Sequence, residues 1–391
     1  MNIKFNFIKS SLFILLLGIT TSTMAKTPKH VILFMIDGLH WQAPEKVKMP
    51  NFRALIEQGT FIEKSYVLLP HHPTVGDYSK FNSCSFPNPV LHSGTIFIKP
   101  ENKLLQESLP ANSTTAFVVN TAAYRSVARG FDTAIMDGKL TDEEVVDNAI
   151  NIFDQQQPSF MRVHLQSPGE LGRSVNSATP DQAFYEDVFG QGSPYVKSIE
   201  KADELLGKFV AHLKDSGRWE DTVLIATSDH GQSKIGWHPL FDEDSWATPL
   251  VFAGKGIAKQ RTLPYFEHTD LAATISMLLD AKAPSNNGGS GRMVKEVLAK
   301  IDLQNFNHPR YIQTINQQIK LFNFYKSELL LASDKNLHYA IILASLENEI
   351  LTPEPFYHQD RITEWHKAGT TKHMIAANNK ILEQMKTALG K

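Results

Sequence analysis

The sequence predicts an α/β fold in which helices cover both faces of a mostly parallel central sheet, followed by a mainly helical C-terminal extension. Two continuous apolar runs, HVILFMI at 30–36 and TVLIAT at 222–227, are typical of strands buried on both faces of such a sheet. Stretches with helical spacing alternate with the predicted strands, which also indicates a parallel sheet. Polar residues follow several strands, at the edge where open α/β sheets bind ligands.

A local pattern predicts each of the other elements. A proline start and a glycine stop bound a helix at 50–59, and acidic residues open another at 142–155. Amphipathic spacing predicts a long helix at 195–216, and a further helix is predicted at 268–279. The stretch SNNGGSG at 285–291 has loop composition and separates this part from the C-terminal helices. The remaining strands are predicted at 61–69, 115–120, 160–166 and 249–253.

The composition is that of a large globular protein. The chain has 391 residues, of which 42% are hydrophobic and 20% charged, enough apolar material for an extensive core. Its formal net charge of −2 argues against a nucleic-acid binder, which usually presents a basic face. The single cysteine, Cys84, excludes an internal disulfide and a cysteine-rich zinc site.

Residues 1–25 have the pattern of a secretory signal. Lys4 and Lys9 precede a short apolar stretch at 12–19, and small residues lead to a cleavage site after Ala25. The apolar stretch is too short to span a bilayer comfortably. We therefore expect a periplasmic or secreted protein with no transmembrane anchor after cleavage. Its predicted parts are a main domain at 26–295 and a helical extension at 296–391.

Acidic residues follow both of the apolar strands. Asp37 comes directly after the first, and Asp229 and His230 come after the second. Because the carboxyl ends of parallel strands meet at one edge, two carboxylates and an imidazole should converge there. Such a ligand set suits zinc or a similar divalent ion, with calcium and manganese as alternatives.

The chain resembles the alkaline phosphatase superfamily, in its sulfatase-like and type I phosphodiesterase branches. The resemblance runs from about residue 30 to 292 and rests on VILFMIDG, MPNFRALIEQGTFIEKSY, SDHG and FEHTDLAATISMLLDAKAP, in that order. It implies an alkaline phosphatase-like fold and a metal held by Asp37, Asp229 and His230. It also implies a nucleophile after the second strand, attacking phosphorus or sulfur.

The resemblance leaves three candidates for the nucleophile. Ser85 matches a T-F-P-N-like segment, which places it at a predicted helix start and beside the metal as a further ligand. Thr74 stands at a suitable distance after the second strand. Cys84 fits the sulfatase spacing, but CSFPN lacks the proline and arginine of the formylglycine motif, so a formylglycine is not expected.

The second metal position departs from the family. Its D-x-x-G-H segment corresponds here to GELGR, so Gly169 and Arg173 replace the aspartate and the histidine. His238 matches the remaining ligand, and Glu170 is the one residue that could restore a second site. We expect Arg173 to bind the charged oxygens of the ester in place of a second metal, and His238 to protonate the leaving oxygen.

These features predict a metal-dependent hydrolase that cleaves phosphoric or sulfuric esters through a covalent serine or threonine intermediate. The expected substrate is a small molecule or a glycan or lipid ester. One alternative is a group transferase that uses the same covalent step. The other is a catalytically weakened protein that binds anionic glycans or lipids.

Overall fold

The computed structural model describes residues 27–68, 103–239, 242–284, 291–304, 306–347 and 371–391, together with the backbone of 90–92 and 95–97. The strands are β1 (His30–Ile36), β2 (Gly59–Tyr66), β3 (Val90–His92), β4 (Thr95–Phe97), β5 (Thr115–Val119), β6 (Thr133–Met136), β7 (Phe160–Leu165), β8 (Thr222–Thr227), β9 (Ala247–Gly254), β10 (Arg261–Thr262) and β11 (Phe266–Glu267). The helices are α1 (Ala43–Lys46), α2 (Pro50–Gln58), α3 (Asp142–Gln156), α4 (Ser167–Val175), α5 (Pro194–Asp215), α6 (Leu271–Leu278), α7 (Tyr311–Ser333), α8 (Leu337–Glu347) and α9 (Thr371–Ala388).

A nine-stranded sheet forms the centre of the described structure. Its order is β10-β2-β9-β8-β1-β7-β5-β6, with β11 also paired to β2. The strands β8, β1, β7, β5 and β6 are parallel to one another, whereas β9 is antiparallel to both β8 and β2. The predicted α/β class with a mostly parallel sheet is therefore confirmed.

Both faces of the sheet are covered, as the continuous apolar strands predict. Phe34 belongs to the core that β1 shares with α2, α3 and α5, whereas its neighbour Met35 belongs to the core under α6. Successive side chains of a strand point to opposite faces, so a strand between two cores must be apolar at every position. The strand β1 is buried along its whole length for this reason.

Local differences from the predicted elements have identifiable causes. The predicted helix following Ser85 is wrong at 90–92, because these residues form β3 and pair with β4. Pro87 and Pro89 disfavour a helix there, and β-branched residues at 90, 95 and 96 favour strands. The helix predicted at 268–279 begins as a 3₁₀ turn over His268–Asp270 and continues as α6.

The strand β6 and the helix α4 were not predicted from the sequence.

The C-terminal helices are joined to the sheet domain by buried polar contacts as well as by apolar packing. Glu267 accepts hydrogen bonds from the backbone N–H of Ile312 at the start of α7 and from the hydroxyl of Tyr265, each at 2.8 Å. The buried side chain of Asp270 pairs with His308. No described helix is long and apolar enough to cross a membrane.

Candidate metal centre

The strand order brings the predicted ligands together. Since β1 lies between β7 and β8, the residues at the ends of these three strands are neighbours. Asp37 follows β1, and its backbone N–H continues the ladder to Leu165 of β7 at 2.9 Å. Asp229 and His230 follow β8 after one residue. All three side chains of the predicted set are buried.

The imidazole of the predicted set lies beside both carboxylates. The Nε2 atom of His230 lies 3.7 Å from Asp37 Oδ1 and 3.5 Å from Asp229 Oδ2. The Nδ1 atom of His230 is 2.7 Å from the carbonyl oxygen of Gly231, which can only accept, so Nδ1 carries the proton. The Nε2 lone pair therefore faces the carboxylates, in the orientation that a metal-binding histidine adopts.

The electrostatics of this group are those of a cation site. Burial raises the pKa of the Asp37 carboxyl well above its usual range, and the charge of Asp229 raises it further. Two buried carboxylates repel each other unless a cation or a shared proton lies between them. Hydrogen-bond donors also face both carboxylates. Gln166 Nε2 donates to Asp37 at 2.8 Å, and Asp229 Oδ1 accepts from the N–H of Gly38 at 3.2 Å, from the N–H of His230 at 3.1 Å and from the hydroxyl of Ser228 at 3.2 Å. The donor set thus fits a divalent ion.

His164 is a further member of the cluster, and no sequence motif predicted it. One ligand atom each from Asp37, His164 and Asp229 lie within 4.8 Å of one another, and all three residues are buried. Burial lowers the pKa of His164 to about 3, although the charge of Asp229 opposes this, so the imidazole is neutral. The available signal was a histidine inside a mainly apolar strand, FMRVHL, rather than one that follows the strand.

A cavity of about 600 Å³ opens beside this cluster. The proposed catalytic residues Arg173 and His238 line it together with Asp37 and His230. The remaining lining residues are Thr121, Ala123, Gln166, Gly169, Glu170 and Trp237.

The two basic residues of the cavity are held by Trp237. The guanidinium of Arg173, which is otherwise exposed, lies 4.7 Å from the centre of the Trp237 ring. The ring of His238 stacks on Trp237 at 4.0 Å and lies 4.2 Å from the ring of His230. The cation at position 173 and the imidazole at 238 therefore face the same space as the carboxylates.

The structure gives a physical reason for the altered second metal position. Gly169 packs so closely on Asp37 that an added Cβ would lie 1.7 Å from Asp37 Oδ1. An aspartate at 169 would therefore collide with a residue of the first site. Glu170 lies on the cavity wall, with its side chain exposed.

The three nucleophile candidates Thr74, Cys84 and Ser85 lie outside the described residues. Two other histidines are occupied elsewhere: His268 bonds to Ser65 Oγ at 2.8 Å, and His40 Nδ1 accepts the N–H of Gln42 at 2.9 Å.

Comparison with known proteins identifies one family model and several related proteins. A family model described as sulfatase matches residues 80–281. The multifunctional alkaline phosphatase superfamily protein PehA of Trinickia caryophylli is 31% identical over 121 residues, which cover 29% of this chain and 23% of that protein. The human bis(5'-adenosyl)-triphosphatase ENPP4 is 21% identical over 243 residues, covering 59% and 53% respectively. The chain thus spans between about a quarter and a half of these relatives.

Among solved structures, the phosphonate monoester hydrolase of Silicibacter pomeroyi has a similar fold. Its TM-score is 0.53 at 16% identity, over 71% of this chain and 78% of that one. These matches lie in the superfamily that the sequence motifs resemble.

Proposed function

The chain belongs to the sulfatase family, and we propose that it is an exported hydrolase of phosphoric or sulfuric esters that uses a single divalent metal ion. The observation that carries this proposal is the buried cluster of Asp37, Asp229 and His230. Two of its members, Asp37 and His230, line a cavity that Arg173 and His238 also line. The guanidinium of Arg173, which can bind an anion, and the imidazole of His238, which can donate a proton, thus lie beside the proposed metal ligands.

The proposed ligands of the metal are Asp37, Asp229 and His230, with Ser85 completing the set. When bound, a divalent ion at this place supplies positive charge that polarises the ester and favours ionisation of a nearby hydroxyl. Zinc fits the mixed carboxylate and imidazole ligands, and manganese and calcium are the alternatives.

The chain's own residues perform the remaining tasks of the proposed reaction. The Ser85 hydroxyl, or that of Thr74, attacks phosphorus or sulfur as its proton is lost, and the bond to the leaving alcohol breaks. His238 gives a proton to the leaving oxygen, and water then releases the acid from the hydroxyl. Arg173 holds the non-bridging oxygens, because its planar donor fork matches phosphate and sulfate.

The cavity supports a one-metal site rather than a two-metal site. Arg173 stands where the family has a metal-binding histidine, and the close contact between Gly169 and Asp37 leaves no room for the missing aspartate. A guanidinium supplies charge without Lewis acidity, so transition-state stabilisation at this position is purely electrostatic.

A substrate screen with defined variants tests the activity. Metal-free protein is supplied with Zn²⁺, Mn²⁺ or Ca²⁺ and assayed on aryl phosphate, phosphodiester, phosphonate and sulfate esters. We expect turnover of at least one class, abolished in Asp229→Ala and reduced by at least about 100-fold in Arg173→Gln. The matched control is Arg310→Gln, which removes an arginine that stacks on Tyr265 at 4.9 Å and does not line the cavity.

The same screen distinguishes the alternatives. Release of inorganic phosphate or sulfate in step with the alcohol supports a hydrolase, whereas alcohol release with transfer to an added acceptor indicates a transferase. Binding of anionic glycans or lipids without turnover of any ester contradicts the proposal. Loss of activity in Ser85→Ala but not in Thr74→Ala or Cys84→Ala identifies Ser85 as the nucleophile.

The proposed limits of the catalytic unit are 26–295, with 296–391 as the helical extension and 1–25 as a removed signal. Intact-mass analysis of protein expressed with residues 1–25 tests the last point. We expect the periplasmic protein to begin at residue 26, and recovery of uncleaved protein in the cytoplasm would contradict export.

A further inference from the structure

We propose that His164 is a direct ligand of the metal, through Nε2, and that it makes the site selective for a zinc-like ion over calcium. The inference rests on the metal site of the proposed function. It adds a second imidazole to the two carboxylates and His230, at a position that none of the sequence motifs marks.

The sheet register places His164 at the cluster. His164 of β7 pairs with Met35 of β1, two residues before Asp37. Since side chains two residues apart on a strand share a face, Asp37 lies on the same face as His164 and one step nearer the sheet edge. The Nε2 atom of His164 is 3.3 Å from Asp37 Oδ2, and the ligand atoms of Asp37, His164 and Asp229 are mutually within 4.8 Å. One ion can contact all three.

The surroundings of His164 do not give it a structural task. Its ring is fully buried, and within the described part of the chain Nδ1 has no hydrogen-bond partner. Besides Asp37, the Nε2 atom has the hydroxyl of Tyr124 at 3.4 Å, and that hydroxyl also reaches Asp229 Oδ2 at 3.5 Å. These contacts of Nε2 are long for hydrogen bonds, and a cation shared with the two carboxylates would give this atom a stronger partner.

Another buried histidine of the same sheet has no carboxylate cluster beside it, although its Nε2, like Nδ1 of His164, has no hydrogen-bond partner among the described residues. His30 begins β1 at the opposite end of the strand, and its Nδ1 is 2.9 Å from the carbonyl oxygen of Pro158. That histidine ties a loop to the sheet and lies far from any carboxylate cluster of the site. It therefore provides a matched control for replacing a buried histidine of the sheet.

A second imidazole changes which metal the site prefers. Carboxylates alone suit calcium and magnesium, which take oxygen ligands, whereas imidazole nitrogen suits zinc and other transition metals. With His164 and His230 both bound, zinc should be favoured over calcium even when calcium is in excess. Without His164, the set is closer to an oxygen site and the preference should shrink.

The experiment counts imidazoles on the metal. Wild-type protein, His164→Gln, His238→Gln and the control His30→Gln are each loaded with one equivalent of Zn²⁺, and X-ray absorption at the zinc edge reports the number of bound imidazoles. We expect two imidazoles in the wild type, in His238→Gln and in His30→Gln, but one in His164→Gln. The zinc dissociation constant, from chelator competition, should rise by about 100-fold or more in His164→Gln alone.

The outcomes separate the possible roles. If His164 only donates a hydrogen bond to Asp37, the imidazole count stays the same in His164→Gln, which overturns the proposal. If His238 is the second imidazole, the count falls in His238→Gln, which also overturns it. If His164→Gln does not fold, as judged by circular dichroism, the number of imidazoles bound to zinc in the wild type and in His238→Gln decides. Two imidazoles in both proteins support the assignment of His164, and fewer than two in either protein overturn it. A wild type that binds zinc through two imidazoles yet cleaves no ester would contradict the proposed function and leave this assignment standing.

Discussion

A methyl group at position 169 should disable the metal centre without disturbing the fold around it. The added Cβ of Gly169→Ala would lie 1.7 Å from Asp37 Oδ1 and 2.7 Å from its Cγ. Real Cβ atoms essentially never approach another heavy atom within 3.0 Å, so the carboxylate oxygen must move by at least 1.3 Å, the difference between 3.0 and 1.7 Å. Misplacement of a catalytic group by about 1 Å costs about 100-fold in rate.

We therefore expect Gly169→Ala to lower kcat/KM by about 100-fold or more and to weaken zinc binding. The assays are ester turnover with the best substrate of the screen and chelator competition for zinc. The stability of the variant is an independent indicator of the clash. Gly169 lies inside α4, where alanine is favoured over glycine by about 1 kcal/mol, so without the clash the variant would be more stable than the wild type.

The matched control is Gly138→Ala, because an added Cβ at Gly138 meets no described atom within 4 Å. It should keep wild-type turnover and zinc affinity. A Gly169→Ala variant that is more stable than the wild type in urea unfolding and keeps full activity would contradict this prediction, since Asp37 would then not be held where the structure has it.

Three further predictions concern stability, each measured by urea unfolding. Tyr195→Phe removes a buried hydroxyl that forms hydrogen bonds of 2.8 Å with two backbone groups of the loop after β1. The variant should lower the free energy of unfolding by about 1–3 kcal/mol, and an unchanged unfolding midpoint would contradict this. Asp203→Ala removes the carboxylate that accepts a hydrogen bond of 2.8 Å from the N–H of Phe52 in the first turn of α2. The free energy of unfolding should fall by about 1–2 kcal/mol, and a variant as stable as the wild type would contradict this. Burial, and then the charge of Asp270, raise the pKa of Glu267 to about 7. The folded state therefore keeps a proton that the unfolded state loses near pH 4.5. As the pH rises from about 4.5 to 7, the free energy of unfolding should fall by up to about 1.4 kcal/mol per pH unit. Glu267→Gln should flatten this slope, and an equally steep slope in the variant would refute the assignment.

Local chain patterns sufficed for much of the fold and for part of the site. The runs HVILFMI and TVLIAT are buried strands because every position along them packs against a core, and this leaves a signal in the sequence itself. The position of Asp37 and of the Asp229–His230 pair at the sheet edge was predictable for the same reason, since each follows such a strand within two residues. The family match confirms the resemblance that their order indicated.

Features that depend on contacts between distant segments were not predictable. His164 lies inside β7, and only the register between β7 and β1 brings it to Asp37. The contact between Gly169 and Asp37 joins a helix to a strand end far away in the chain. The antiparallel pairing of β9 with β8 likewise leaves no local pattern, because a buried strand is apolar whichever way it runs.

The most direct test of the metal centre is anomalous diffraction from crystals soaked in Zn²⁺ and measured at the zinc edge. A peak in contact with Asp37, Asp229 and His230, at about 2.0–2.2 Å from their ligand atoms, is the predicted result. Fully soaked crystals with no peak among these three residues, or with zinc bound only elsewhere on the protein, would contradict it.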